Sequence, residues 1–430
     1  MRILSVLAQK PSSTGSGVYL SELVKCFKRM GHEQEIICAM YEGEQNCVDE
    51  NRRGELCEPV YNPVIFNTAA VPLKIAGMSD VMPYESIKYS DLANDEKLLA
   101  VWAKVFEEKI EEVIGRFKPD LIICHHLYLL TAMVADYRAR SARPYDDKDR
   151  PYNDKDCTHM GRQDVVPYKI FGICHNTDLR QYQQTDLKRE FIKENIKKLD
   201  KIFSPSEEHK QKIVELFDVD ENKIEVIGIG YNSDIFYKDE NLVKSDNKET
   251  KLLYVGKVAK KKGVMSLVKA FKKIDEKNIS LDIIGGAGDK NEYDEILKES
   301  VTSQNKINFL PPMKQTELAK EYNSHDIFIL PSFSEGVPMV PIEALACGCK
   351  VVISDLPGVK TFYDANIKNA CIKYVKLPEM TNVDDADIEE LCGFEKRLKD
   401  AIIEAIDDKK PYKPELASIS WENITKTMLK

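Results

Sequence analysis

The sequence predicts an α/β protein of two doubly wound domains, each built on a parallel sheet. Its 430 residues exceed the size at which one hydrophobic core usually stops growing. Apolar strand segments alternate with helical segments, as expected for parallel strands joined by crossover helices. This alternation stops in a polar segment rich in Asn, Asp and Lys, residues 231–250, and then starts again. Residues 1–231 and 232–412 are therefore the two predicted domains.

The first series opens with an apolar strand at residues 3–8 and an amphipathic helix at 18–30. Gly31 follows that helix, where a glycine accommodates the left-handed conformation that commonly ends helices. Further along, Pro119 and Asp120 separate a long charged helix from the next buried strand. The remaining elements predicted in this series are that helix at 96–117 and strands at 32–40, 121–124, 168–174, 201–204 and 224–227.

Residues 138–166 interrupt the first series. They are charged, twice interrupted by proline and too hydrophilic to supply a core element. Their acidic residues lack the regular spacing of metal ligands, which favours a solvated loop over a metal site. We therefore expect a mobile insertion here.

The second series again alternates strands and helices. Its predicted strands are at 251–255, 281–284, 307–310, 327–330 and 350–353. The last segment, 413–430, is predicted to contain a helix that places Trp421, Ile424 and Leu429 at helical spacing. Such an apolar stripe needs a surface to pack on.

The composition is that of an ordinary globular protein, with 43% hydrophobic and 31% charged residues. No apolar run is long enough to span a bilayer, and the first residues lack the pattern of a secretory signal. Eleven cysteines, mostly in apolar contexts such as Cys38, Cys124 and Cys174, are typical of buried free thiols in a reducing compartment. The formal charge of −9 disfavours nucleic acid as a partner. We therefore expect a cytoplasmic location.

Residues 331–348, PSFSEGVPMVPIEALACG, form the most informative segment. Pro338 and Pro341 fit only near the start of a helix, because a proline deeper in a helix loses a hydrogen bond and clashes. A helix start presents unpaired N–H groups to an anion. Glu335 and Glu343 flank this start, and we interpret them as acceptors for sugar and ribose hydroxyls on either side of a diphosphate. The alternative is that both carboxylates only complement the helix dipole.

A basic turn follows the first strand of the second series. Gly256 closes the strand, and Lys257 and Lys262 bracket a turn that leads into a helix. This geometry directs cations to the carboxyl edge of a parallel sheet, where nucleotides bind in doubly wound folds. We therefore predict diphosphate contacts from these two lysines, against the alternative of solvated surface lysines. Lys260 and Lys261, between them, are expected to face solvent.

Two glycine-rich turns are further candidates for phosphate binding. Gly15 and Gly17 follow the first strand and open a helix, but Leu20 occupies the position of the third glycine in the dinucleotide fingerprint. This weakens the interpretation of the chain as an NAD-dependent dehydrogenase. The turn that contains Gly286 also lacks the full dinucleotide fingerprint. It either lies near a nucleotide base or is a plain strand-to-helix turn.

Histidines follow two buried strands of the first series. His175 comes directly after one of them, and the polar residues among positions 176–180 favour an active-site role for it. His125 and His126 occupy the equivalent end of the strand at 121–124. For these two, a place in the core or behind the active site is the favoured interpretation.

Together, these motifs resemble the retaining glycosyltransferases of family 4, also called glycosyltransferase group 1. Six motifs are shared: a glycine-rich first loop (15–17), a histidine after a middle strand (175), G-[RK]-x4-K-G (256–263), PS-x2-EG (331–336), E-x7-E (335–343) and a closing SWENI helix (420–424). In this order they are far more specific than any one alone, and they cover most of the chain. The resemblance implies the B-type fold, two facing Rossmann-like domains in which the last helix, here 418–430, crosses back to the first domain.

The resemblance also implies roles for individual residues. Lys257 and Lys262 neutralise the departing diphosphate, with the amides of residues 15–17 assisting. Glu335 holds sugar hydroxyls and Glu343 holds the ribose. The residues that the resemblance assigns to the donor or to catalysis are Gly15, Gly17, His175, Gly256, Lys257, Lys262, Gly286, Ser334, Glu335, Gly336, Val337 and Glu343.

Other implied roles concern the acceptor and the sugar. By resemblance, His175 contacts the donor sugar near its reacting face, and the segment 75–86 lies where acceptor specificity usually resides. That segment could line a cleft, although packing is an equal explanation for its methionines. Lys257 replaces the commoner arginine, which exchanges a bidentate phosphate contact for a point charge. The acceptor-side candidates are Met78, Tyr84, His125 and His126.

By this resemblance, we expect a retaining glycosyltransferase of the hexosyltransferase type that moves a sugar from a nucleotide-diphosphate donor to an acceptor hydroxyl. The acceptor is a glycan, a lipid or a small molecule, and neither a metal nor another cofactor is expected. No residue is obviously positioned as a covalent nucleophile, which favours a front-side reaction. Peripheral contact with the inner membrane face is a further expectation, because many members of the family glycosylate lipids. The alternatives are a nucleotide-sugar epimerase and a catalytically silent nucleotide-sugar-binding subunit.

Overall fold

The computed structural model describes residues 1–11, 13–44, 58–79, 82–141, 168–241, 249–335, 337–382 and 385–430. Its backbone contacts divide the chain into two units, Met1–Val226 and Ile227–Lys430. Each unit contains one large parallel sheet, and helices lie between most of its strands along the chain. The predicted fold class is therefore confirmed, while the domain boundaries proposed from the sequence stay predictions.

The first unit contains a seven-stranded sheet with parallel pairing throughout. Its strands are β1 (Arg2–Val6), β2 (Glu33–Tyr41), β3 (Val60–Phe66), β6 (Leu121–His125), β7 (Lys169–Ile173), β8 (Lys201–Ser204) and β9 (Ile224–Val226), and a separate pair consists of β4 (Ala76–Gly77) and β5 (Ile87–Lys88). The order is β3-β2-β1-β6-β7-β8-β9, so the order of the strands reverses between β1 and β6. Strand β6 is buried at every position, as expected where helices cover both faces.

The helices described in the first unit are α1 (Gly15–Arg29), α2 (Tyr89–Asn94), α3 (Glu96–Phe117), α4 (Leu129–Ser141), α5 (Thr177–Gln184), α6 (Arg189–Ile196) and α7 (Glu207–Phe217). Helix α3 has the bounds that the sequence predicts. Asp95 starts it by accepting the amides of Lys97 and Leu98, and Lys118, with a φ of 49°, ends it in the left-handed conformation.

Helix α4 corrects the predicted start of the insertion at 138–166. Arg138 lies within the helix, where its guanidinium pairs with Asp200 and donates to the carbonyl of Lys198. The helix therefore continues through Ser141, because its basic end is anchored to neighbouring backbone and carboxylate groups. The rest of the predicted insertion lies outside the described residues.

The second unit contains a six-stranded sheet, also parallel throughout. Its strands are β10 (Thr250–Val255), β11 (Ile279–Ile284), β12 (Lys306–Leu310), β13 (Ile327–Leu330), β14 (Lys350–Ser354) and β15 (Ile372–Val375). The order β12-β11-β10-β13-β14-β15 reverses between β10 and β13, as in a doubly wound nucleotide-binding fold. The described helices are α8 (Val264–Lys272), α9 (Lys290–Ser300), α10 (Gln315–Ser324), α11 (Val340–Ala346), α12 (Val359–Asn366), α13 (Leu391–Asp407) and α14 (Trp421–Met428).

The last helix, α14, packs through its apolar stripe. Trp421 is 3% exposed, and a Cβ added to Gly230 would lie 2.4 Å from its indole ring. The amide of Trp421 donates to the carbonyl of Tyr231 over 3.3 Å. These contacts give the predicted Trp421 stripe a packing surface within the second unit. The crossing of 413–430 to the first domain stays a prediction.

The helices in the described ranges include none with the length and hydropathy needed to cross a bilayer. Cys38, Cys124 and Cys174 are buried, as the sequence predicts. Each lies in or next to a strand of the first sheet, where a thiol packs as a small apolar group.

Candidate active site

The second unit places the basic turn and the Ser-Glu-Gly turn side by side. The basic turn follows β10 and the Ser-Glu-Gly turn follows β13, and these two strands are paired neighbours in the sheet. The order of the strands reverses between them. Their carboxyl ends therefore flank the topological switch point, where open α/β sheets bind ligands.

Main-chain contacts hold the two turns together. The amide of Phe333 donates to the carbonyl of Lys261 over 3.1 Å. Gly263 has a φ of +69°, and a Cβ added to it would lie 2.0 Å from the carbonyl oxygen of Pro331. Glycine alone meets both requirements, so Gly263 allows the basic turn to close on the neighbouring loop.

Lys262 and Glu335 form an ion pair at this point, with Nζ and Oε1 2.8 Å apart. Their side chains are 23% and 20% exposed, so water reaches them only in part. A lysine ammonium has three donors and can hold this carboxylate and an incoming oxyanion together. The structure thus brings together two residues that the sequence assigns to the same donor.

Lys257 adds positive charge to the same turn. Burial, followed by the charges of Lys262 and Lys261, lowers its pKa below the ordinary value. Tyr254 supports the turn from its strand, because its hydroxyl donates to the carbonyl of Lys257 over 2.8 Å. Burial, followed by Glu335, raises the pKa of Tyr254 well above the ordinary value. A bound anion would relieve the repulsion among these lysines, which makes an anion a favourable ligand here.

Lys260 has different surroundings. Its ammonium pairs with Glu295 of helix α9 over 2.6 Å, and its side chain is 49% exposed. The amide of Lys260 donates to Glu292 of the same helix over 3.0 Å. Lys260 is therefore directed towards α9 and solvent, in keeping with its prediction as a solvent-facing residue.

Glycines also allow the turns after β10 and β11 to meet. A Cβ added to Gly285 would lie 1.8 Å from the carbonyl oxygen of Gly256. The amide of Val258 donates to the carbonyl of Gly286 over 2.9 Å. Gly256 and Gly286 therefore serve close backbone packing in this unit, and their contact with a donor stays a prediction.

Helix α11 begins after the Ser-Glu-Gly turn, with Pro341 in its first turn as predicted. Glu343 is 6% exposed, and its Oε2 accepts the hydroxyl of Tyr322 over 3.3 Å. Burial, followed by Glu343, raises the pKa of Tyr322 well above the ordinary value. The ribose-binding role of Glu343 stays a prediction, and this carboxylate is more deeply buried than that of Glu335.

The other residues of the Ser-Glu-Gly segment differ in how deeply they are buried. Ser334 is partly exposed, whereas Val337, 6% exposed, belongs to the hydrophobic core of the unit. Gly336 lies outside the described residues. The hydroxyl of Tyr363 donates to the carbonyl of Pro338 over 2.9 Å and so anchors the loop before α11. Val337 therefore supports the loop by packing, and a contact with the donor would come from its main chain.

In the described part of the chain, Asp282, Glu321 and His325 offer ligand atoms within 4.8 Å of one another. Each ring nitrogen of His325 already lies close to an oxygen atom, however. Nε2 lies 3.1 Å from Oδ2 of Asp282, and Nδ1 lies 2.6 Å from the carbonyl oxygen of Glu321. We interpret this group as a hydrogen-bond network, because oxygen atoms already face both ring nitrogens at hydrogen-bond distances.

In the first unit, the ends of β6 and β7 bring three histidines together. The rings of His125 and His175 are nearly parallel, with centroids 5.3 Å apart, and the ring centroid of His126 lies 4.8 Å from that of His175. Tyr19 of helix α1 meets the ring of His175 edge to face at 5.2 Å. His125 ends β6, which neighbours β1 at the switch point of this sheet. The cluster therefore lies where doubly wound sheets bind ligands.

All three imidazoles are neutral at physiological pH. Burial lowers the pKa of His125 and that of His126 to about 3. Burial, followed by the two neighbouring histidines, lowers the pKa of His175 well below the ordinary value. His175 can therefore donate or accept a hydrogen bond at neutral pH, but it is not a cationic general acid.

Asp178 is a buried residue that sequence reasoning noticed only as part of a polar cluster. Its carboxylate accepts the amide of Leu127 over 2.7 Å, that of His175 over 3.2 Å and that of Leu179 over 3.1 Å. The desolvation caused by burial nevertheless raises its pKa above the ordinary value. Asp178 ties the loop after β6 to the loop after β7, and so keeps the histidines together. An aspartate at the start of a helix after a strand was the available signal.

Replacing Asp178 by asparagine should lower the melting temperature by about 5–10 °C, because lost hydrogen bonds to a buried charge cost about 2–3 kcal/mol in total. The NH₂ group of the asparagine side chain would face backbone N–H groups that need an acceptor. The matched control is Asp186→Asn, whose side chain is 94% exposed. Calorimetry on both variants checks this prediction. Equal melting temperatures for the two would show that Asp178 does not hold the loops.

The glycine-rich first loop is organised by a helix cap. Thr14 precedes α1, and its hydroxyl accepts the amide of Gly17 over 3.2 Å. The side-chain oxygen of Gln9 accepts the hydroxyls of Thr14 and Ser16 over 3.3 and 3.2 Å. A Cβ added to Gly15 would meet nothing within 4 Å. The space around Gly15 is therefore free for a ligand. The Gly17 amide could bind a phosphate only after its hydrogen bond to Thr14 breaks.

The acceptor-side candidates have contrasting environments. Met78 is 5% exposed and lies in the core of the first unit, which supports the packing explanation for this residue. Tyr84 is partly exposed, and the ammonium of Lys10 lies 4.6 Å from the centre of its ring. Lys10 also lies over Tyr41 and pairs with Glu44. Lys10 follows β1 at the carboxyl edge of the sheet, and sequence reasoning missed it because nothing near it in sequence marks this cation–π contact.

Residues 238–376 match the family model described as glycosyl transferases group 1. This stretch contains both turns that form the Lys262–Glu335 pair. The second unit carries a group 1 glycosyltransferase domain. The group 1 family expected from the motifs is thereby confirmed for this stretch.

Curated relatives are similar to parts of the chain. It is 27% identical over 236 residues, 52% of this chain and 57% of the relative, to the glycosyltransferase MJ1607 of Methanocaldococcus jannaschii. It is 32% identical over 170 residues, 36% of this chain and 44% of the relative, to the capsular polysaccharide biosynthesis glycosyltransferase CapM of Staphylococcus aureus. The chain thus spans about half the length of these relatives.

Solved structures are similar over nearly the whole chain. The sucrose-phosphate synthase of Thermosynechococcus elongatus has a TM-score of 0.64 at 16% identity, covering 99% of this chain and 97% of that one. The Anabaena protein Alr3699/HepE, in complex with UDP and glucose, has a TM-score of 0.59 at 12% identity, covering 99% and 94%. At such identities the likeness shows the fold, and that fold is the B-type fold of the group 1 glycosyltransferases.

Proposed function

We propose that this chain is a retaining glycosyltransferase of the hexosyltransferase type, which transfers a sugar from a nucleotide-diphosphate donor to an acceptor hydroxyl. The observation that carries the proposal is the Lys262–Glu335 pair, held beside Lys257 at the switch point of the second sheet. Two similar proteins support it: CapM is a glycosyltransferase of capsular polysaccharide biosynthesis, and the HepE structure contains UDP and glucose. The acceptor classes are glycans, lipid-linked sugars and small molecules.

The basic turn stabilises the departing nucleoside diphosphate. When the bond between the sugar carbon and the phosphate oxygen breaks, negative charge develops on that oxygen. Lys257 and Lys262 are held in place before the reaction, so they stabilise this charge with little reorganisation. Because lysines supply the positive charge, the proposed reaction needs no divalent metal. Equal rates with and without EDTA are the expected result.

The carboxylates and His175 orient the donor. Glu335, at 20% exposure, is accessible to sugar hydroxyls, while Glu343 accepts the ribose hydroxyls beside Tyr322. His175 contacts the donor sugar near its reacting face as a neutral imidazole. Neutrality suits a residue that forms a hydrogen bond to a sugar hydroxyl.

Transfer with retention proceeds from the front side of the sugar. The acceptor hydroxyl bonds to the anomeric carbon on the face that the diphosphate leaves, and its proton passes to the departing phosphate oxygen. Glu335 is neutralised by Lys262, which makes its carboxylate a poor nucleophile. Isolation of a covalent glycosyl-enzyme adduct would contradict this route.

A thermal-shift screen of UDP-, GDP- and ADP-sugars tests donor binding first. A donor at 100 times its dissociation constant stabilises the native state by about 2.7 kcal/mol, which should raise the melting temperature by about 5–10 °C. The donor selected in this way is then incubated with candidate acceptors, and the anomeric configuration of the product is read by NMR. An inverted product would contradict the proposal.

The same incubation separates the alternatives. A nucleotide-sugar epimerase consumes the donor without an acceptor, whereas a silent binding subunit shows the thermal shift and forms no product. Acceptor-dependent release of the nucleoside diphosphate is the result that we expect. The cytoplasmic location and the contact with the inner membrane face stay predictions from the sequence.

A further inference from the structure

The contact between His125 and His175 is built into the fold. Nδ1 of His125 lies 3.1 Å from Nε2 of His175, and the two rings are 13° from parallel. His125 is the last residue of β6, and His175 follows β7, the strand paired with it. The Asp178 carboxylate accepts amides from the loop after each of these strands. The two rings are therefore held together by structured loops.

A hydrogen bond between two neutral imidazoles admits two arrangements of protons. Each neutral ring carries one proton, and burial keeps both of these rings neutral at physiological pH. In the first arrangement, His125 donates from Nδ1, and His175 keeps its own proton on Nδ1. In the second, His175 donates from Nε2, and His125 must carry its proton on Nε2.

The surroundings of His125 distinguish between these arrangements. Its Nε2 is buried and has no hydrogen-bond partner among the residues that the structure describes. The second arrangement therefore leaves a buried N–H group unpaired, which native structures rarely contain. The first leaves only a ring lone pair unpaired, and unpaired buried acceptors are tolerated more often than unpaired donors.

We propose that His125 is a positioning residue that donates a hydrogen bond from Nδ1 to Nε2 of His175 and so fixes His175 in the tautomer with its proton on Nδ1. The catalytic consequence rests on the proposed function. In that setting, Nδ1 is the atom from which His175 donates a hydrogen bond to an oxygen of the donor sugar. Without His125, the ring samples both tautomers, and only one of them presents this N–H group.

NMR of the free protein tests the tautomer directly. Protein labelled with ¹⁵N-histidine is examined by long-range imidazole correlation, which distinguishes protonated from unprotonated ring nitrogens. A His175→Asn variant assigns the His175 signals by their loss. A protonated Nδ1 and an unprotonated Nε2 on His175 are the expected result. A proton on Nε2 of His175 would overturn the proposal.

Two substitutions at His125 test the consequence for turnover. In His125→Asn, the side-chain amide keeps an N–H donor close to the position of Nδ1, whereas His125→Leu removes the donor. We expect His125→Leu to lower kcat about tenfold with the donor KM within about twofold, the effect of losing roughly one hydrogen bond. His125→Asn should retain kcat within about threefold of the wild type. Equal losses in the two variants would mean that His125 acts only through packing.

Controls separate this proposal from the proposed function. His32→Leu alters a histidine at the amino edge of the same sheet, next to the start of β2, and should leave kcat unchanged. If no donor binds and no sugar is transferred, the proposed function fails, while the NMR measurement still decides the tautomer. If His125→Leu does not fold, the wild-type spectrum and His125→Asn remain as tests.

Discussion

Replacement of Lys262 by alanine is expected to lower kcat by about 100- to 1,000-fold, the loss usually seen when one group that stabilises transition-state charge is removed. Lys262 is the cation that the structure pairs with Glu335, at an N–O distance of 2.8 Å. Without Lys262, the leaving diphosphate loses a stabilising positive charge, and the Glu335 carboxylate loses its ion-pair partner. Initial rates of nucleoside diphosphate release, at saturating donor and acceptor, measure the effect.

The melting temperature of Lys262→Ala should stay within about 2–4 °C of the wild type, because partly exposed ion pairs contribute only about 1 kcal/mol or less to stability. Lys260→Ala is the matched control in the same turn, since that lysine pairs with Glu295 and points towards α9. Its kcat should be close to the wild-type value. Comparable losses from the two substitutions would mean that the turn acts through general positive charge, and the assignment of Lys262 would be wrong.

Replacement of Gly263 by alanine should strongly damage the second unit. The added Cβ would lie 2.0 Å from the carbonyl oxygen of Pro331, and the φ of +69° disfavours any residue with a side chain. Steric displacement and left-handed strain together should lower the free energy of unfolding by about 2–4 kcal/mol. Because the basic turn must move away from the neighbouring loop, donor affinity should also fall at least about tenfold, the equivalent of 1.4 kcal/mol.

Gly115→Ala is the control for this substitution. A Cβ at Gly115, within helix α3, would meet nothing within 4 Å. Alanine there should stabilise the protein by about 0.5–1 kcal/mol, since glycine is unfavourable inside helices. Chemical denaturation of both variants gives the two free energies. If Gly263→Ala unfolded at the wild-type denaturant concentration and bound donor normally, the close approach of the two turns would not be needed.

Elements with a clear sequence pattern could be predicted closely. Strands β8 and β13 and helix α3 have the predicted bounds. Each is either a short apolar run or a long amphipathic pattern with a clear cap, so local residue preferences and burial favour the same structure.

Edge strands could not be predicted in this way. Strand β3 contains Pro63 and is only partly buried, so its residues lack a continuous apolar run. It lies at the edge of its sheet, where a proline without an N–H group is tolerated because no strand pairs on the outer side. Strand β15 is likewise an edge strand and mostly half-buried.

Within the candidate site, the location of residues was easier to predict than their partners. Parallel strands place their carboxyl ends at one edge, so the histidines and lysines after strands were expected there. The pairing of Lys262 with Glu335, 73 residues apart, depends on loop conformations and on the close approach that Gly263 allows. Likewise, the three amides that Asp178 accepts come together only in the folded loops.

A crystal structure with the nucleoside diphosphate selected by the thermal-shift screen would show whether the basic turn binds the diphosphate. We expect the diphosphate at the carboxyl ends of β10 and β13, with Nζ of Lys262 within about 3 Å of a phosphate oxygen, the usual distance of a charge-assisted hydrogen bond. Lys257 should contact the same group, and Glu335 should remain unoccupied by phosphate and accessible to the sugar. A diphosphate bound elsewhere, with the Lys262–Glu335 pair unchanged, would show that this turn is not the diphosphate site.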